Sequence, residues 1–210
     1  MVAGRADFGV GNSSLVIERQ RGKPVVAIAA LMQHSAIAIL ARRDHGIENV
    51  TDLIGKSIAC ASHSCDEITA YLNASGVKSE QVKLIDHQNW GLTDLRAGKL
   101  DATEVYSTNE PYWVSGEAQK YILLTPRSAG IDLYGNVLFT AEATASANPE
   151  LVRRFRTATL QGLTYAMANR EALATLIFER YNTQAKVREH LLFEAERLHD
   201  VMRLDLEIGR

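Results

Sequence analysis

GVGNSS, from Gly9 to Ser14, sets two glycines and a run of amide and hydroxyl side chains where an apolar stretch gives way to a helical pattern. Backbone N–H groups at such a start attract anionic or carbonyl groups of a ligand, and Asn12, Ser13 and Ser14 add side-chain hydrogen-bonding atoms to them. The plainer reading makes Asn12 or Ser13 an ordinary N-cap. The run lacks the third glycine of a dinucleotide fingerprint, and no GxxxxGK[ST] phosphate loop is present. YSTNEPYW, Tyr106 to Trp113, gathers hydroxyls, an amide, a carboxylate and aromatic rings directly after a predicted strand, where open α/β sheets bind ligands. Its rings suit a flat heterocycle, and Glu110 suits an exocyclic amine beside a ring nitrogen. Alternatively, Asn109 and Glu110 cap a helix with Pro111 in its first turn while Tyr112 and Trp113 fill core. GIDLYGNVLFT, Gly130 to Thr140, holds Tyr134 between glycines that either admit a ligand to the backbone or only serve turns.

Catalytic arrangements find less support. No HExxH, GxSxG or Cys-His-Asn pattern can be assembled from local spacing. His34, His63 and His87 lie near predicted strand ends, yet solvated loop histidines are commoner than metal ligands, so neither a metal nor a cofactor is expected. Asp66 and Glu67 open a helix, favoured by its dipole. Cys60 and Cys65 are separated by a spacing that fits neither CxxC nor a zinc knuckle. They read as two thiols without a special role, a mutual disulfide being the alternative that the pattern does not support.

The elements that must position these groups alternate along the first two thirds of the chain. ADFGVG reads as a strand, the stretch from Asn12 or Ser13 as a short helix, and PVVAIAAL and AIAILAR as apolar strands. ENVTDLIGKSIACAS supplies a one-turn helix, a Gly-Lys stop and another strand. Asp66 to Ala74 is helical with Gly76 beyond its end, VKLID a strand, LTDLRAGKL a helix closed by Gly98, and DATEVY a strand. Such alternation predicts an α/β fold of parallel-rich sheets flanked by helices. From Asn148 the pattern turns helical, with Val152, Phe155, Leu163 and Ala166 on one side of a long helix and only the polar YNTQ turn interrupting the last third.

Composition closes off other classes. The 210 residues are 46% hydrophobic, ample for a packed core. The 23 basic and 25 acidic residues are interspersed at a net charge of -2, which leaves no electrostatic footprint for nucleic acid or an anionic membrane. The longest apolar run, Val25 to Met32, is far too short to span a bilayer. The VAGRAD start lacks the regions of a secretory signal, so no signal peptide is read in this chain.

Five separated segments, VAGRADFGVGNSSLVIERQRGKPVVAIAALMQHSAIAILARRD, DLIGKSI, YSTNEPYW, GIDLYGNVLFT and LTYAMAN, occur in one order. Together they resemble the substrate-binding proteins for thiamine pyrimidine precursors, a branch of the type II periplasmic binding proteins. Within that branch the chain is most similar to sensor domains that precede diguanylate cyclase or histidine kinase modules. The resemblance covers essentially the whole chain and implies a two-lobed fold closing on a small molecule, with no enzymatic activity. It implies one lobe of residues 1–35 plus 136–210 and a second of residues 36–135. Asn12, Ser13, Ser14, Gln33, His34, Asn109, Glu110, Tyr134 and Gly135 would contact the ligand, with Glu110 the first choice as partner of an aminopyrimidine. The implied partners are that ligand and an ABC permease or a fused signalling domain, with a homodimer left open; the implied location is periplasmic or otherwise extracytoplasmic. Family members usually carry several dozen residues before VAGRADFG, including a first strand and helix, so the first lobe is expected to be incomplete and to expose apolar surface. The cysteine-rich CCCFC segment of fungal pyrimidine synthases of this fold is absent. A pyrimidine-biosynthesis enzyme using His34, a cysteine and a metal is therefore the weaker alternative, beside a ligand-free dimerisation scaffold.

Overall fold

The computed structural model describes residues 4–61, 65–87 and 91–203. In chain order the strands are β1 (Phe8–Gly11), β2 (Val25–Ala30), β3 (Ile37–Arg42), β4 (Ser57–Cys60), β5 (Lys83–Asp86), β6 (Ala102–Tyr106), β7 (Tyr121–Leu124) and β8 (Val137–Ala141). The α-helices are α1 (Leu15–Gln20), α2 (Cys65–Ala74), α3 (Thr93–Arg96), α4 (Glu142–Ala147), α5 (Pro149–Ala168), α6 (Arg170–Arg180) and α7 (Arg188–Met202). They divide into a contiguous unit, Ala36–Asp132, and a discontinuous one made of the chain up to Ser35 and from Leu133 onward. Leu133 to Gly135 belong with the discontinuous unit because Ser35 N donates to Leu133 O and Gly135 N to Met32 O, at 2.7 and 3.1 Å. The boundary read from sequence, after Gly135, moves accordingly.

The contiguous unit holds a sheet in the order β5-β4-β6-β3-β7. Parallel pairing is confined to β4 with β5 and β6, while β3 runs antiparallel to β6 and β7. The unbroken apolar IAILA of β3 is what a strand covered on both faces requires. Ile37, Ile39 and Ala41 pack with Ile58, Ile68 and Leu72 on one side, and Ala38 and Leu40 with Leu95, Val105 and Val114 on the other. β7, built from YILL, was not singled out in the sequence because no polar alternation marks it; it pairs with β3 as an edge strand.

Polar ties fix the ends of these strands. The Asp101 carboxylate accepts from Ser57 N and Ser57 Oγ, both at 2.8 Å, and meets His45 Nδ1 at 2.7 Å, joining the starts of β4 and β6. Arg42 donates to Leu95 O and Arg96 O at 2.8 and 3.0 Å, capping α3, whose chain then turns at Gly98 with φ +72. Cys60 ends β4 and Cys65 opens α2, and Cys65 N donates to Ala61 O. The two Cα atoms lie 5.4 Å apart, and the cysteines form a disulfide, correcting the reading of two separate thiols.

In the discontinuous unit, β8 lies between β1 and β2 and is antiparallel to both. β2 slips register between Ala27 and Ala29, and the carbonyl of the bulged Ile28 accepts from Arg156 Nε on α5 at 2.9 Å. Phe8 of β1 stacks on Phe155 of α5 with centroids 3.9 Å apart. The helical last third is broken at Asn169 as well as at the expected YNTQ turn, since Asn169 Nδ2 folds back on Tyr165 O at 2.8 Å and separates α5 from α6. Burial is thin here: Val10, Phe155, Tyr165, Ile177 and Tyr181 are all exposed. Among the described residues no helix is long and apolar enough to cross a membrane.

Burial pushes the Asp101 carboxyl up, but the Ser57 N–H, His45 and the Ser57 hydroxyl outweigh it and hold its pKa below the ordinary value. Its ionised form therefore stabilises the fold above the unfolded pKa, and that contribution is lost as pH falls through the lower native value. Asp101→Ala should cost about 1–3 kcal/mol at neutral pH in a denaturant titration, with the gap to the parent narrowing in strong acid.

Candidate functional site

In the discontinuous unit the register puts Gly11 and Ala30 on either side of Val137. The segments that follow β1 and β2 and the one that precedes β8 therefore emerge at one end of the sheet. Asn12, Ser13, Ser14, Gln33, His34, Tyr134 and Gly135 all lie on them. Asn12 Oδ1 accepts from Ser14 N at 3.1 Å and Ser14 Oγ at 2.5 Å, and Asn12 O accepts from Leu15 N at 3.1 Å. The helix N-cap is accordingly Ser14, with Asn12 shaping the turn before it, in place of Asn12 or Ser13. His34 N donates to Val201 O at 3.0 Å, Gln33 Nε2 to Ala30 O at 3.4 Å, and Leu31 N and Met32 N both to Asn136 O at 2.7 and 3.1 Å. Tyr134 is 58% exposed at this end of the sheet.

Gly135 is required by the crowding around it. A Cβ there would lie 2.8 Å from His34 O and 2.8 Å from Met32 Cβ. Backbone crossing backbone this closely fixes the order of Met32, Gln33 and His34 beside Tyr134.

In the contiguous unit, Asn109 and Glu110 follow the C-terminal end of β6. Glu110 opens a pair of 3-10 segments over Glu110–Lys120, separated by a kink at Glu117, and is buried. Its Oε2 accepts from Tyr106 N and its Oε1 from Asn109 Nδ2, both at 2.7 Å. The carboxylate assigned from sequence to a ligand amine thus also staples its own loop. Beside it, at the ends of β4 and β5, Ala61 N donates to the buried Glu104 Oε2 at 2.9 Å, and His87 Nε2 meets Thr103 Oγ1 at 3.1 Å. Burial raises the pKa of Tyr106, and the charges of Glu104, Glu110 and Glu67 raise it further, so the phenol stays protonated as a donor. Trp113 is 39% exposed.

Glu104, Thr103 and Glu67 were not among the residues singled out for ligand contact, and His87 entered only as a metal candidate. A carboxylate inside DATEVY, facing Ile39 across the ladder, was the available signal: an acid on a buried strand demands partners. His63 lies outside the described residues. Among the described residues no cluster of three or more His, Cys, Asp or Glu side chains is arranged to hold a metal ion.

This pairing of an α/β sheet with polar groups gathered at strand ends has counterparts of known sequence and structure. The family model described as NMT1/THI5 like matches residues 1–172. The chain belongs to the NMT1/THI5-like family. The riboflavin-binding protein RibY of Chloroflexus aurantiacus is 31% identical over 173 residues, 80% of this chain and 48% of that protein. Among solved structures, the periplasmic aliphatic sulphonate-binding protein SsuA of Escherichia coli aligns over 92% of this chain and 66% of its own, at 17% identity and a TM-score of 0.73. The alkanesulfonate-binding SsuA of Xanthomonas axonopodis, bound to MOPS, aligns over 92% and 67% at 17% identity and a TM-score of 0.68. The fold is that of the type II periplasmic binding proteins. The chain spans about half the length of the curated relative it matches.

Two outcomes follow from this geometry. Gly135→Ala should cost roughly 1–3 kcal/mol, because the backbone of His34 must give way, and should lower the thermal midpoint of the protein measured by circular dichroism. Burial holds His87 below its ordinary pKa against the opposing charges of Glu104 and Asp86. A depressed histidine pKa means that the unfolded state takes up the proton first, so stability is intact above about pH 6.5 and declines as pH falls below it. His87→Gln should flatten the change in melting temperature between about pH 7.5 and about pH 5 relative to the parent.

Proposed function

We propose that the chain is a binding module for a small, flat, nitrogen-containing heterocycle and performs no catalysis. The observation that carries this reading is the supply of polar groups at strand ends: amide, hydroxyl and backbone groups around the exposed ring of Tyr134 in one unit, and the buried carboxylates of Glu104 and Glu110 in the other. Asn12, Ser13, Ser14, Gln33, His34, Tyr134 and Gly135 in one unit, and Asn109 and Glu110 in the other, are the proposed contacts. Tyr134 offers a stacking face, and the acceptor groups suit ring N–H and exocyclic amine donors. The name of RibY supports a heteroaromatic ligand, and an aminopyrimidine of the kind that precedes thiamine is a small ligand of that chemistry.

The module works outside the cytoplasm. Its Cys60–Cys65 disulfide suits an oxidising compartment, and the Escherichia coli structure it resembles is a periplasmic binding protein by name. Its partner is then an ABC permease that accepts the released ligand, or a signalling domain in the same polypeptide that reads occupancy as a shift of population.

A thermal-shift screen against riboflavin, hydroxymethyl-aminopyrimidine and alkanesulfonates tests the proposal. A ligand at about a hundred times its Kd should add about 2.7 kcal/mol of stability. The rise is expected with a heterocycle, and it should disappear in Tyr134→Ala without change in the unliganded melting temperature, because Tyr134 is exposed. A rise with alkanesulfonates alone, or with none of the three classes, would overturn the ligand assignment.

A further inference from the structure

The discontinuous unit contains a concavity whose lining includes none of the strand-end residues, walled by the end of α5, by α6, by the turn after it and by α7. Its volume is about 420 Å³, within the roughly 300–1,000 Å³ that small-molecule sites occupy. The floor is apolar, formed by Met167, Leu173, Ala174, Leu191 and Leu198, of which Met167 and Ala174 are 7% and 3% exposed. The turn is held in shape: Asn182 Nδ2 donates to Lys186 O at 2.6 Å and Asn182 Oδ1 accepts from Lys186 N at 2.9 Å. The wall therefore exists before any ligand arrives.

Charge at the rim is unbalanced in one direction. Lys186 is paired with Glu194 at 2.8 Å, and Glu171, next in sequence to Arg170, meets Arg188 at 3.4 Å. Arg170 lines the same cavity, and one of its guanidinium nitrogens donates to Met167 O at 2.8 Å. Among the described residues no carboxylate pairs with it. An apolar chamber with a lone guanidinium at its edge is complementary to an amphipathic monoanion, whose tail takes the floor while its head forms charge-assisted bonds at the rim.

We infer that this cavity is a second small-molecule site, distinct from the strand-end contacts, and that it takes a medium-chain alkyl carboxylate. α7 carries both Leu198 of the floor and Val201, whose carbonyl accepts the His34 N–H, so occupancy bears on the helix that anchors the loop containing His34.

Calorimetric titration of the whole chain with decanoate tests the inference, with decanol and decylamine as matched neutral and cationic probes. One saturating decanoate per chain is expected, weakened about tenfold or more by Arg170→Gln, with decylamine at least as weak as decanol. Ile177→Trp, a substitution at a 42% exposed position on the cavity mouth, should block decanoate while circular dichroism shows an unchanged fold. No saturable heat, equal binding of the three probes, or full affinity in Arg170→Gln would overturn it.

Discussion

Successive side chains of β3 leave the strand in opposite directions, and both directions end in apolar core. With Ile37, Ile39 and Ala41 on one face and Ala38 and Leu40 on the other, there is no register in which this strand tolerates solvent. Everything in the contiguous unit is then placed by reference to it: β6 and β7 pair with it directly, β4 and β5 extend the sheet beyond β6, and α2 and α3 cover opposite faces. The polar groups at the ends of β4, β5 and β6 inherit that rigidity. Glu104 is held by the N–H of Ala61, just past β4, and Glu110 by the N–H of Tyr106, at the end of β6, which is how these carboxylates remain buried without forfeiting their hydrogen bonds.

The discontinuous unit follows a different logic. Its helices bury little apolar surface, and its coherence comes from point contacts: the Phe8 and Phe155 rings, Arg156 on the bulged Ile28 carbonyl, and the crossing at Gly135. The exposed Val10, Tyr165 and Tyr181 belong to this thinly covered half. Specificity of position at the sheet end is achieved by backbone hydrogen bonds among Met32, Ser35, Leu133, Gly135 and Asn136. That is a scaffold in which side chains such as Tyr134 remain available.

Periodicity made the elements of the fold legible, because apolar strands such as IAILA and helix stops such as Gly76 and Gly98 are local signals. Pairing was not local. Nothing in VLFTA states that it will run antiparallel to two earlier strands, and YILL carries no mark of an edge strand. The Asn169 break escaped notice because an amide folding back on Tyr165 O depends on geometry that the apolar pattern does not encode. At the site, the residue types in GVGNSS, YSTNEPYW and DLYGN drew attention for sound reasons, but their division of labour required coordinates. Asn12 turns out to shape a turn, Glu110 to staple a loop, and Gly135 to permit a backbone crossing. The Cys60–Cys65 bridge was obscured because the spacing itself does not state that the two residues lie within reach.

β1 and β2 never pair with each other; each has β8 as its neighbour in the sheet. More than a hundred residues separate Ala30 from Val137. Bringing β8 between them closes a loop of that length, at a correspondingly large cost in chain entropy. The intervening stretch is the contiguous unit, whose strands all pair among themselves. Consolidating that unit shortens the loop that β8 must close, so the middle of the polypeptide is favoured to order before the sheet of β1, β8 and β2.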